Sequence, residues 1–328
     1  MRVLITGITG FVGSHLVDYI LANHPEVIIY GLVRWRSPMD NLKHVPANKL
    51  NFCYGDLVDL SSLIRILRET TPDVIFHLAA QSYVPTSFNA PIDTLQTNTI
   101  GTASLLEAVR ISQIDPIIHV CSSSEVYGQV REDEVPIKED CPLRPASPYA
   151  VGKVGEDMIA FQYWLSYGIK TIRTRMFTHT GPRRGEVFVV SNFAKQIAAI
   201  EAGLAPPVVK VGNLESVRTF LDVRDAVKAY WLLVDKCPPG EVYNIGGVET
   251  MTVGEMLNRL LKLSKVKDIG VELDRKRLRP SDVTLQIPCI DKFVKATGWK
   301  PEIKFQKTLQ DTLDYWRDCF KRESLLSH

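Results

Sequence analysis

The chain has 328 residues, 45% apolar and 23% charged, the balance of a globular protein with room for one large α/β unit and a smaller lobe. Lys and Arg number 39 against 37 Asp and Glu, and no basic tract is dense enough to hold nucleic acid. No apolar stretch approaches the length of a membrane span, and the opening MRVLITG lacks the long hydrophobic region of a secretory signal.

Six scattered cysteines without CxxC spacing predict free thiols in a reducing, cytoplasmic setting, and seven histidines without ligand spacing predict no metal.

RVLIT at 2–6 is a short β-rich run, followed by GITGFVG and by SHLVDYILANH, where Leu16, Ile20 and Leu21 have helical spacing. VIIYGLV at 27–33 and LNFCYGD at 50–56 predict the next strands, and SSLIRILRET a helix opened by capping serines. VIFHLAA at 74–80 is a near-continuous apolar run, as in a parallel strand buried on both faces. A helix from about Thr97 to Ile111 and a fifth strand, PIIHVCSSS, follow.

Strand and helix alternate strictly in this reading, which predicts a Rossmann-type doubly wound parallel sheet binding ligands at the carboxyl ends of its strands. Beyond about residue 170 the pattern loosens. KTIRTRMF continues as a strand, a loop leads into a helix through GEVFVVSNFAKQIAAIEAG, and 252–264 and 307–319 have helical periodicity. The expected division is a dinucleotide-binding domain at 1–170 carrying the catalytic residues. A smaller C-terminal α/β substrate lobe takes 171–328, with some segments returning to the sheet and RESLLSH a frayed tail.

Gly7, Gly10 and Gly13 give GxxGxxG at the first strand–helix junction, where Thr9, Phe11 and Val12 complete the turn. Such a turn brings backbone N–H groups and a helix N-terminus up to a pyrophosphate. A site for NAD usually ends its second strand with a carboxylate on the ribose hydroxyls. Here the strand runs into Arg34-Trp35-Arg36-Ser37, so Arg34, Arg36 and Ser37 predict NADP ahead of NAD. Asp56 and Leu57 close the third strand beside the adenine, and Leu78, Ala79, Ala80 and Gln81 give the fourth a small-residue end against which a dinucleotide can lie.

Ser147-Pro148 opens a helix on which Tyr149 and Lys153, four apart, share a face. An ammonium near a phenol lowers its pKa, and the phenolate can take a hydroxyl proton as hydride leaves. Ser123, at the end of the fifth strand, would hydrogen-bond the same substrate oxygen.

With TGITGFVGSHL, GD at 55–56, HLAAQS, SSSEVYG and SPYAVGK in this order, the chain resembles the extended short-chain dehydrogenases/reductases that modify nucleotide sugars. Within them it is most similar to GDP-mannose 4,6-dehydratases and GDP-4-keto-6-deoxymannose reductases. The resemblance implies Ser123, Ser124, Glu125, Tyr149 and Lys153 as catalytic, with Glu125 removing the C5 proton. AAQSYVPTSF (including Ser82), PRRGEVFV (with Arg183, Arg184 and Val189), VGNLESVR and LRPSDV resemble the segments that hold the GDP-sugar. Arg218 and Arg279 would then pair with the diphosphate and Asp282 would contact the nucleoside, with Asn213 nearby. Thr178 stands where many relatives have asparagine.

The same resemblance implies a homodimer built on a bundle of the 97–111 and 149–165 helices, or a homotetramer if the Arg34–Ser37 loop reaches a neighbour's cofactor. The leading expectation is an NADP-dependent GDP-sugar 4,6-dehydratase. A reductase of the 4-keto-6-deoxy sugar, a 4-epimerase and a non-catalytic dinucleotide-binding scaffold remain open beside it.

Overall fold

The computed structural model describes residues 1–278 and 282–326. In chain order it begins β1 (Arg2–Thr6), α1 (Phe11–Asn23), β2 (Ile28–Val33), β3 (Asn51–Tyr54), α2 (Leu60–Thr70) and β4 (Val74–His77). Two short helices, α3 (Val84–Asn89) and α4 (Pro91–Leu95), lead through a π-turn at Gln96–Ile100 into α5 (Gly101–Ser112), β5 (Ile117–Ser123) and α6 (Pro148–Tyr167). Then come β6 (Thr171–Met176), β7 (His179–Thr180), α7 (Val189–Glu201), β8 (Val208–Val211), β9 (Val217–Thr219), β10 (Leu221–Asp222) and α8 (Val223–Lys236). The chain continues with β11 (Val242–Ile245), β12 (Thr250–Thr252), α9 (Val253–Lys262), β13 (Gly270–Leu273), β14 (Leu285–Gln286), α10 (Asp291–Thr297) and α11 (Phe305–Leu326).

Seven strands form one parallel sheet in the order β11-β6-β5-β4-β1-β2-β3. Val74–His77 is buried at every position, as its unbroken apolar run requires of a strand covered on both faces. Each fully buried aliphatic or aromatic side chain here, Ile5 and Phe76 among them, contributes about 1.5–3 kcal/mol. The chain reverses its winding between β1 and β4, which opens a crevice at their carboxyl ends.

β6 and β11, both from the second half, complete the sheet. From the same half, α8 and α10 join the core of the sheet through Val223, Val227, Tyr230, Leu233 and Phe293, while α7, α9 and α11 surround a separate apolar cluster that includes Val190, Phe193, Ile197, Met256, Leu257 and Leu309.

Four expectations need correction. Strand and helix do not alternate strictly: β2 and β3 are joined by two 3-10 turns, Asp40–Leu42 and Ala47–Lys49, in place of an α-helix. The polar, proline-bearing RSPMDNLKHVPANK has too few apolar positions to give a helix a face to bury. Asp59, not a serine, caps α2, accepting from the Ser61 N–H because a carboxylate also suits the positive end of the helix. The helix expected from Thr97 starts as the π-turn at Gln96. Finally, α11 continues to Leu326, so most of the expected frayed tail is helical.

Candidate active site

The glycine turn is shaped by contacts that a side chain would destroy. Gly7 has φ +73°, and a Cβ there would stand 2.9 Å from the Ala79 backbone; on Gly13 it would stand 2.3 Å from the Gly7 carbonyl oxygen. β1 is thereby drawn against Leu78–Ala80, and the Thr6 hydroxyl accepts from the N–H groups of Leu78 and Ala79, both at 3.1 Å. Gly10 precedes α1 with no side-chain cap, which leaves the N-terminal N–H groups of Phe11, Val12 and Gly13 open to an anion. An uncapped helix end beside a cradle that any Cβ would fill suits the pyrophosphate of a dinucleotide.

Beyond the turn, Arg34, Trp35 and Arg36 are exposed; the Ser37 hydroxyl accepts from the Arg34 N–H at 2.9 Å, and the Arg36 guanidinium lies 5.7 Å from the Trp35 ring. Asn41 ties this loop to the glycine turn by donating to the Thr9 carbonyl at 3.0 Å. Asp56 is half-buried and accepts from the Val58 N–H, while Leu57 is buried under Gly101. Gln81 turns its side chain onto Tyr83 and Thr94, and its backbone is clamped by Asn98 from the π-turn. Gln81 thus braces this loop, and Ser82 beside it is exposed.

Tyr149 and Lys153 lie on α6, whose start Ser147 caps by accepting from the Ala150 N–H. Ser123, at the end of β5, accepts from the Glu125 N–H at 3.2 Å and hydrogen-bonds Tyr149. Ser124 is buried and Glu125 half-buried. Lys153 is buried, donates to the Cys121 carbonyl at 2.7 Å and pairs with Glu156 at 2.8 Å.

Burial pushes the Tyr149 phenol up. Lys153 and the Ser123 hydrogen bond pull it down, and the Glu156 and Glu125 carboxylates add to burial. The lysine therefore acts in the expected direction, against burial and two carboxylates.

Arg184 links the turn to the second lobe. Its guanidinium stacks over Phe188 at 3.5 Å and Phe11 at 4.9 Å, and burial lowers it to about 10. Tyr149 is close enough to act on that charge. Its neighbour Arg183, with φ +69°, instead pairs with Asp18 at 2.5 Å and reaches the Asn41 carbonyl, binding the turn before α7 to α1 and the arginine loop.

Thr178 is half-buried, its carbonyl accepting from the Leu221 N–H, and Val189 opens α7. Asn213, Ser216 and Arg218 converge on Asp282: Asn213 donates at 2.8 Å, Ser216 at 3.2 Å, and an Arg218 nitrogen stands 3.7 Å away. Arg218 also donates to Gln286 and the Val283 carbonyl, so its guanidinium is engaged inside the lobe. Arg279 lies outside the described residues.

Sequence reading missed His15, whose Nε2 meets the Pro182 carbonyl at 2.9 Å, together with Asp18, Asn41 and Phe188. It also missed Glu156, although its place three residues after Lys153 on one helix put it within reach.

A doubly wound sheet, a glycine turn at its first junction and a Ser–Tyr–Lys group at the end of β5 define a short-chain dehydrogenase/reductase fold that takes NAD(P). The chain belongs to the GDP-mannose 4,6 dehydratase family, which it matches over residues 4–312. It is 33% identical to the GDP-6-deoxy-D-mannose reductase of Pseudomonas aeruginosa, over 98% of this chain and 99% of that one. It is 34% identical to a GDP-mannose 4,6-dehydratase of Vibrio cholerae, over 94% of this chain and 91% of the relative. Among solved structures, the RMD of Pseudomonas aeruginosa complexed with NADPH superposes with a TM-score of 0.84 at 32% identity, covering 97% of this chain and 99% of that chain.

Proposed function

We propose that the protein is an NADP-dependent GDP-mannose 4,6-dehydratase that forms GDP-4-keto-6-deoxymannose. The observation that carries the reading is the grouping of Ser123, Tyr149, Lys153 and Glu125 at the switch-point crevice, with a carboxylate beside the acid–base tyrosine. Gly7, Thr9, Gly10, Phe11, Val12 and Gly13 would hold the pyrophosphate, Asp56 and Leu57 the adenine end, and Leu78–Gln81 the nicotinamide side. Arg34, Arg36 and Ser37 would take the extra phosphate, which favours NADP.

When bound, the nicotinamide supplies reversible hydride acceptance. Tyr149 takes the C4 hydroxyl proton while Ser123 and Lys153 orient that oxygen and the cofactor ribose. Oxidation makes C4 a ketone and the C5 hydrogen acidic. Glu125 then removes the C5 proton and passes it to the C6 hydroxyl, which leaves as water, with Ser124 beside it; the hydride taken from C4 ends at C6 and a proton, balancing the one taken up by Tyr149, returns to C5, so no reductant is consumed. Arg184 and Val189 would border the sugar diphosphate with Ser82 and Thr178. Asn213, Arg218 and Asp282 would face the nucleoside end.

The domain reading follows from the same division: residues 1–170 bind the cofactor and 171–328 mainly bind the GDP-sugar. We place the protein in the cytoplasm, a reading supported by six free thiols; among the described residues no helix is long and apolar enough to cross a membrane. An assembly of two or four copies through α5 and α6 is supported by exposed Val151, Met158, Phe161 and Leu165 along α6.

One observation favours a second reading: the chain spans 99% of the Pseudomonas reductase but 91% of the Vibrio dehydratase. Under it, NADPH would reduce the 4-keto group. Mass spectrometry of GDP-mannose incubated with the protein and no added NADPH separates the two. A product lighter by one water supports dehydration, whereas unchanged GDP-mannose with NADPH-dependent reduction of the keto sugar assigns the reductase.

A further inference from the structure

Glu156 is fully buried on α6, one turn beyond Lys153, with the Lys153 Nζ 2.8 Å from its Oε2. Among the described residues the Lys153 ammonium is the group that compensates this carboxylate. A buried pair of this kind is poor stabilisation, because an apolar pair of equal volume often does as well or better. Its geometry serves the lysine instead. The Lys153 Nζ stands between the Cys121 carbonyl at 2.7 Å and the Glu156 carboxylate, so these two acceptors together fix the ammonium.

We propose that Glu156 is a positioning residue: its carboxylate fixes the Lys153 ammonium against Cys121, offsets part of its charge, and so sets how readily Tyr149 gives up its proton. The inference rests on the acid–base role assigned to Tyr149.

The surroundings leave Lys153 and Glu156 as the adjustable pair. Tyr149 also faces Ser123 at the end of β5, Glu125 just beyond it, Arg184 before α7 and Tyr230 on α8. Lys153 faces Cys121 and His119 on β5 and His77 on β4; burial holds both histidines neutral, each at about 3. Asp157, the remaining carboxylate beside Glu156, is occupied by Arg173 and Arg175. Burial drives the Glu156 carboxyl up and Lys153 draws it back, so the pair shares its charge.

The test is the ultraviolet tyrosinate titration of Tyr149, isolated by subtracting the matching Tyr149→Phe protein, in the wild type and in Glu156→Gln. Removing the carboxylate should lower the midpoint by about one pH unit or more, because the lysine charge then acts undiluted. An unchanged or higher midpoint overturns the proposal. If Glu156→Gln does not fold, Glu156→Asp draws the carboxylate away from Nζ and is read for the same downward shift.

In a Lys153→Met background only the direct field of Glu156 on Tyr149 remains, so the shift caused by Glu156→Gln should be clearly smaller than in the wild type. A shift of undiminished size there would overturn action through Lys153. Turnover of GDP-mannose is measured separately: its absence in the wild type would refute the dehydratase reading and leave the titration result standing.

Discussion

Replacing Asp157 by asparagine should cost about 3 kcal/mol of stability. Asp157 is fully buried on α6, its Oδ1 accepting from Arg173 at 2.9 Å and its Oδ2 from Arg175 at 2.8 Å; both arginines come from β6 and are buried. The pair of contacts anchors the helix carrying Tyr149 and Lys153 to the sheet. Breaking a buried ion pair from one side typically costs about 3–5 kcal/mol, because a charge is left without its partner.

The lower end applies here, since each guanidinium keeps other acceptors. Arg173 retains the Gly240 carbonyl at 2.8 Å and the face of Phe161, and Arg175 retains the Glu139 carbonyl at 2.8 Å. Urea denaturation of both proteins gives the difference, with an unchanged slope showing that the folded and unfolded states are otherwise alike. A loss below about 1 kcal/mol, within the range of an exposed pair, would refute the reasoning that burial makes this contact strong.

Glu125→Gln should retain binding of NADPH and GDP-mannose, followed by fluorescence and calorimetry, and lose dehydration by about 100-fold or more; full activity would remove its role as base. Arg34→Ala should weaken NADPH binding about tenfold, the size of one charged hydrogen bond, and leave NADH binding nearly unchanged. Equal loss for both would show that Arg34 does not read the extra phosphate.

Stability should fall as pH drops from about 6.5 toward 3. Burial holds His77 and His119 neutral in the folded protein, each lowered from 6.5 to about 3, while the unfolded chain takes up their protons. Each contributes roughly 1.4 kcal/mol per pH unit across that window. Urea midpoints that do not move between neutral pH and about pH 5 would contradict this.

What the sequence made legible was whatever depends on local pattern. The apolar run at 74–77 could be read as a buried parallel strand because both of its faces are covered. The glycine spacing and the four-residue step from Tyr149 to Lys153 are equally local. Long-range contacts were not legible. Arg183 meets Asp18 across 165 positions, and nothing in their spacing signals the pair. The side chain of Gln81 has the right chemistry for a ligand, but Tyr83 and Thr94 claim it. The pull of Lys153 on Tyr149 is visible from spacing, whereas the burial that opposes it exists only in the folded chain.

The most direct test of the central claim follows the hydrogen itself. GDP-mannose carrying deuterium at C4 is incubated with the protein in ordinary water without added NADPH, and the product is analysed by mass spectrometry and NMR. The account predicts a product that has lost one water, keeps the deuterium and carries it at C6. A product without the label at C6, or no product until NADPH and a 4-keto sugar are supplied, would contradict it.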